Sequence, residues 1–153
     1  VEQKYVGPSR WDLLRDIVRR HPDLAIFGSG DIWNAGDVFR MMEYTGVVGS
    51  AIARGCIGNP WIFRQARDLL AGREPRTPTL AEQRSVLEEH FRLLLAVNKR
   101  MRHGEDATSK MMRKFGIRFA AHHPDPDRVR RGFIAAKSQA DWHTVLAAEY
   151  VTG

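Results

Sequence analysis

Two short apolar runs, each ending in a glycine-bearing turn and followed by a helix-start signal, set the strongest limit on this fold. The first is Leu24 to Phe27, which runs into Gly28-Ser29-Gly30-Asp31. The second is Val47 to Ala53, which runs into Arg54-Gly55. Strands separated by a helical connection of this length must lie parallel, because a hairpin cannot join them. Both runs are apolar apart from Ser50, so the pattern predicts strands covered on both faces and partnered at their edges.

The helices before, between and after them are legible. Ser9 is the expected cap of a helix carrying Trp11, Leu14, Ile17 and Val18 at helical spacing, and His21-Pro22-Asp23 breaks it. Asn34 is the expected cap of the next helix. Val38, Met41 and Met42 would form its inner face, and Gly46 its stop. Pro60 suits the first turn of a helix with Trp61, Ile62, Leu69 and Leu70, ending near Gly72. Residues 1–72 thus read as α/β, the last part of a larger α/β sheet or barrel.

"GREPRTPT" has linker composition, and residues 73–79 are assigned to it. After it the strand signals stop. Thr79 and Glu82 form a capping-box pattern, followed by a stripe of Leu87, Phe91, Leu94, Val97 and Met101. Further helices are expected over about 106–121 and 127–136, with a fourth capped by Ser138 and carrying Trp142, Val145 and Leu146. "HHPDPD" separates the first two of these. Residues 80–153 read as all-α, a small helical bundle.

The net charge of +6 is unevenly placed. Residues 1–97 carry 13 Lys/Arg against 12 Asp/Glu, whereas residues 98–137 carry 11 against 4. Local potential governs attraction to phosphate, so this segment is the candidate polyanion surface. Within it Lys110, Arg113, Lys114 and Arg118 recur at spacings that place them on one side of a helix. Met111, Met112, Phe115 and Phe119 are expected on the packed side.

A turn between a parallel strand and a helix exposes backbone N–H groups, and glycine lets an anion approach them closely. Two such turns at adjacent strand ends lie side by side, where α/β barrels often bind phosphate. The dinucleotide fingerprint is not met, because its third glycine would fall on Trp33. The six histidines show no metal-ligand spacing, so no metal site is expected. Cys56 is the sole cysteine, which excludes an internal disulfide and fits a reducing, cytoplasmic setting. It reads as a small packed thiol, not a nucleophile. The run Leu93 to Val97 is far too short to cross a membrane, and no secretory signal is visible. A start at Val1 in place of Met suggests missing upstream sequence.

The strings "QKYVGPSRWDLL", "GSGDI", "YTGVVGSAIARGCIGNPWIF" and "MRKFGIRF", in this order, resemble the tRNA-dihydrouridine synthases. "ARGCIGNPWIF" is the most specific of them. The resemblance implies an FMN-binding barrel followed by a helical domain that grips tRNA, with NADPH as electron donor for reduction of uridine. It also implies that Ser29, Gly30, Asp31, Ala53 and Arg54 hold the FMN phosphate. Two positions depart from the family pattern: Ser29 replaces Asn, and Ala53 replaces Gly. The family's catalytic Cys, its active-site Lys and its His-x-Arg-Thr motif would all lie upstream, so no catalytic residue is expected in this chain. Lys110, Arg113, Lys114 and Arg118 become the expected RNA contacts. Two alternatives remain open: a non-catalytic RNA-binding protein with a barrel remnant, and another phosphate-binding barrel enzyme.

Overall fold

The computed structural model describes residues 7–100 and 103–151. The chain forms two compact units, Val1–Arg76 and Thr77–Gly153.

The first unit runs α1 (Trp11–Arg20), β1 (Phe27–Ser29), α2 (Ala35–Thr45), β2 (Gly49–Ala51), α3 (Arg54–Gly58) and α4 (Ile62–Leu70). β1 and β2 pair in parallel, with Phe27 opposite Gly49 and Ser29 opposite Ala51, as the connection length requires. The strands are shorter than the apolar runs. β1 begins where the expected strand ends, and Leu24 is exposed. They are also not covered on both faces. Gly28 is buried beneath Met41 and Leu14, whereas Phe27 and Ser29 alternate to an open face. The two-residue period of a strand sends neighbours to opposite sides, and among the described residues α1 and α2 cover only one.

Helix starts follow local chemistry. Asn34 and Asp37 close a capping box on α2, and Gly46 ends it in the left-handed conformation, with φ 79°. α1 departs from expectation: Arg10 is its N-cap and makes no side-chain cap bond. Ser9 is engaged elsewhere. Pro60 lies just ahead of α4, whose N-cap is Trp61. The core of this unit is Ile32, Ala35, Met41, Val47 and Ile62, flanked by Trp11, Leu14 and Val38. Met41 and Ile62 are fully buried, each worth about 1.5–3 kcal/mol of apolar transfer. Leu70, expected inside, is exposed.

The second unit comprises α5 (Leu80–Asn98), α6 (Gly104–Phe119), a 3-10 turn (Ala120–His122), α7 (Pro126–Ala135) and α8 (Gln139–Glu149). Capping boxes start α5 (Thr79, Glu82) and α8 (Ser138, Asp141). Asp125 caps α7 with Pro126 in its first turn. Leu87, Phe91, Met112, Phe119, Phe133, Trp142 and Leu146 fill the interior. Two side-chain hydrogen bonds from buried residues cross the bundle. Asn98 Nδ2 donates to Thr108 Oγ1 at 3.0 Å, and Gln83 Nε2 donates to the His122 carbonyl at 2.9 Å. Val97 is exposed, not part of the packed stripe; Met101, the last residue of that expected stripe, lies outside the described residues. Among the described residues no helix is long and apolar enough to cross a membrane.

Candidate functional site

The two glycine turns meet at one open cleft of about 760 Å³, formed at the carboxyl ends of β1 and β2. Ser29, Gly30, Asp31, Ala53 and Arg54 all line it, together with Ser9, Trp33 and Gly55.

Beyond β1 the chain turns sharply. Gly30 has φ 115° and Asp31 has φ 52°. Glycine is needed at position 30 for a second reason: a Cβ there would lie 2.2 Å from Ser9 Oγ. Asp31 then ties three segments together. Its Oδ2 accepts the Ser9 N–H at 2.6 Å, and its Oδ1 accepts Arg54 Nη2 at 3.2 Å. The Trp11 indole N–H donates to the Gly30 carbonyl at 3.0 Å. On the other side, Gly55 packs so tightly on the Ile32 carbonyl that a Cβ would sit 2.1 Å from that oxygen. This close approach draws the start of α3 against the β1 turn.

Arg54 is therefore held over the cleft. Its ion pair with Asp31 is partly exposed, so its net worth is small and its effect is orientation. Trp33 lies beneath it, the guanidinium carbon 5.0 Å from the ring centroid. A guanidinium has five donors, and the Asp31 contact occupies one. With the Ser29 hydroxyl and the turn N–H groups, this donor set suits a phosphate. The Asp31 carboxylate keeps its negative charge, but both of its oxygens are engaged, by the Ser9 N–H and by Arg54.

Sequence reasoning placed Gly55 in the second candidate turn but missed Ser9, Trp11 and Trp33 as parts of this site. These three carried no signal, since their roles depend on contacts across about twenty residues. Cys56 is half-buried, its thiol 3.0 Å from the Ala53 carbonyl, the packed environment expected of it. Among the described residues no cluster of His, Cys, Asp and Glu is arranged to hold a metal.

The basic face lies on α6. Lys110, Lys114 and Arg118 are exposed and Arg113 is half-buried. At helical pitch the four span an arc of roughly 140°. Thr108, Met112, Gly116 and Phe119 lie opposite and are buried. Met111 corrects the expectation: it is exposed, because its position falls beside Arg118 and not with Met112. Among the described residues no ion pair joins these four cations to an acid. By contrast Arg84, Arg92 and Arg128 are paired with Glu88, Glu89 and Asp125. The α6 cations remain available to an external polyanion.

Residues 1–145 match the family model described as dihydrouridine synthase. A probable tRNA-dihydrouridine synthase of Mycobacterium tuberculosis is 31% identical over 137 residues, covering 89% of this chain and 34% of that protein. One from Treponema pallidum is 34% identical over 147 residues, 94% of this chain and 42% of the relative. tRNA-dihydrouridine synthase B of Proteus vulgaris is 26% identical, over 95% of this chain and 44% of its own length. The chain thus spans between a third and a half of the length of these relatives. By the extent of the family match and the order of its motifs, this chain belongs to the dihydrouridine synthase family.

Proposed function

We propose that the chain is the carboxy-terminal part of an FMN-dependent tRNA-dihydrouridine synthase. Residues 1–72 would be the last two βα units of its barrel, residues 73–79 the linker, and residues 80–153 the tRNA-binding helical domain. Ser29, Gly30, Asp31, Ala53 and Arg54 would hold the FMN phosphate. When bound and reduced by NADPH, FMN supplies the hydride that saturates the C5–C6 bond of uridine in tRNA. The residues of this chain anchor and dock. Arg54 offsets phosphate charge, Asp31 fixes the direction of Arg54, and Gly30 with Ser29 leaves the turn open to an oxygen ligand. Lys110, Arg113, Lys114 and Arg118 meet the RNA backbone through phosphate contacts. No residue of this chain is assigned the protonation of uridine, so the isolated chain is expected to show no turnover. The assembled enzyme would work in the cytoplasm.

One observation supports this reading above others: both strand-end turns open on a single cleft around the Arg54–Asp31 pair. The test is FMN titration of the full-length protein, followed by quenching of flavin fluorescence. Arg54→Ala should weaken FMN by roughly tenfold or more, the value of a charge-assisted contact. Unchanged affinity would place the phosphate elsewhere and end the assignment.

A further inference from the structure

We infer that Trp33 is a positioning residue for the anion-binding guanidinium of Arg54. This rests on the reading of the cleft as the FMN phosphate site. Arginine is long and flexible, and a surface guanidinium samples many rotamers. Two contacts restrict this one from different directions. Asp31 Oδ1 meets Nη2 at 3.2 Å. The Trp33 ring lies under the guanidinium carbon, 5.0 Å from its centroid. An ion pair at one nitrogen leaves the guanidinium free to swing about that contact; an aromatic face beneath it stops the swing. Together they hold the guanidinium in the lining of the cleft.

The backbone of Trp33 is anchored. Its N–H donates to Asp37 Oδ2 at 2.7 Å, and Asp37 is buried at the start of α2. Its neighbour Ile32 is in the core, yet Trp33 is 51% exposed. A large indole half in water contributes little to packing, so its replacement can be read at the cleft and not through the core. Pre-ordering Arg54 lowers the entropy lost when an anion binds.

The experiment compares FMN with riboflavin, which lacks the phosphate, on the full-length protein by flavin fluorescence, with thermal stability measured in parallel. Trp33→Leu should weaken FMN by about fivefold and leave riboflavin affinity and melting temperature unchanged. Trp33→Phe should restore most of the loss. In an Arg54→Ala background Trp33→Leu should change nothing further. If Arg54→Ala abolishes the preference for FMN over riboflavin while Trp33→Leu leaves it intact, the positioning role is wrong and the phosphate site stands. If neither variant alters that preference, the site reading itself fails and takes the inference with it. An equal loss of both flavins with a lower melting temperature would mark Trp33 as a packing residue and overturn the inference.

Discussion

Gly55 decides the geometry of the cleft. With the Ile32 carbonyl 2.1 Å from where its Cβ would stand, any side chain must push α3 away from the β1 turn. Gly55→Ala should destabilise the first unit by about 1–3 kcal/mol, read as a lower denaturation midpoint with unchanged slope. Asp37 acts at the same scale. Burial alone would raise its pKa, but the N–H groups of Trp33 and Asn34 and the Arg40 guanidinium outweigh burial and hold it below the usual value. Asp68 is lowered too, chiefly by its hydrogen bond from Arg73, and Asp141 by the Lys137 and Ser138 N–H groups and the Ser138 hydroxyl. The sign follows from linkage. The unfolded carboxylates take up protons near pH 4, before the folded ones do. Stability is thus full above about pH 5 and falls as pH drops toward the lower folded values. The melting temperature should be lower at pH 3 than at pH 7, and Asp37→Asn should flatten part of that dependence.

Among the elements, α6 divides its circumference most cleanly. Its buried arc includes Gly116, where a Cβ would meet the Phe133 ring at 2.6 Å, so α6 and α7 touch closely there. Its opposite arc carries the unpaired cations. Replacing Lys110, Arg113, Lys114 and Arg118 by Gln should reduce the slope of log affinity for tRNA against log salt by about 3. Helix content should not change, because none of the four is in the core. An unaltered slope would make the stripe an ordinary solvated face. Periodicity and caps made α2, α5 and α8 readable in advance: Asn34, Thr79 and Ser138 each receive the hydrogen bond expected of them. The strands were read less well. An apolar run states that a segment is hydrophobic, not which three residues of it find a partner, so Leu24 was expected inside and lies in water.

At the scale of the whole chain, the two units differ in how completely they bury themselves. The helical unit encloses Trp142, Tyr150, Phe119 and Phe133 almost entirely. Among the described residues the α/β unit has a two-stranded sheet with Phe27 and Val48 exposed, a size and exposure at which sheets are marginal without cover. Expressed separately, residues 77–153 should unfold cooperatively in urea. Residues 1–76 should bind a hydrophobic dye and associate. Cooperative, monomeric behaviour of residues 1–76 would show that the open face needs no cover.

The amino-acid sequence alone determined the parallel pairing, the change from α/β to all-α, the capped starts of α2, α5 and α8, and which two turns and which helix carry the candidate residues. These follow from local rules: connection length, period and side-chain reach to nearby backbone. Only the tertiary structure decided that Ser9 serves Asp31 and not a helix cap, that Gly55 lets two turns touch, and that Trp33 underlies Arg54. Those contacts join residues twenty or more apart, and no spacing along the chain encodes how close they come.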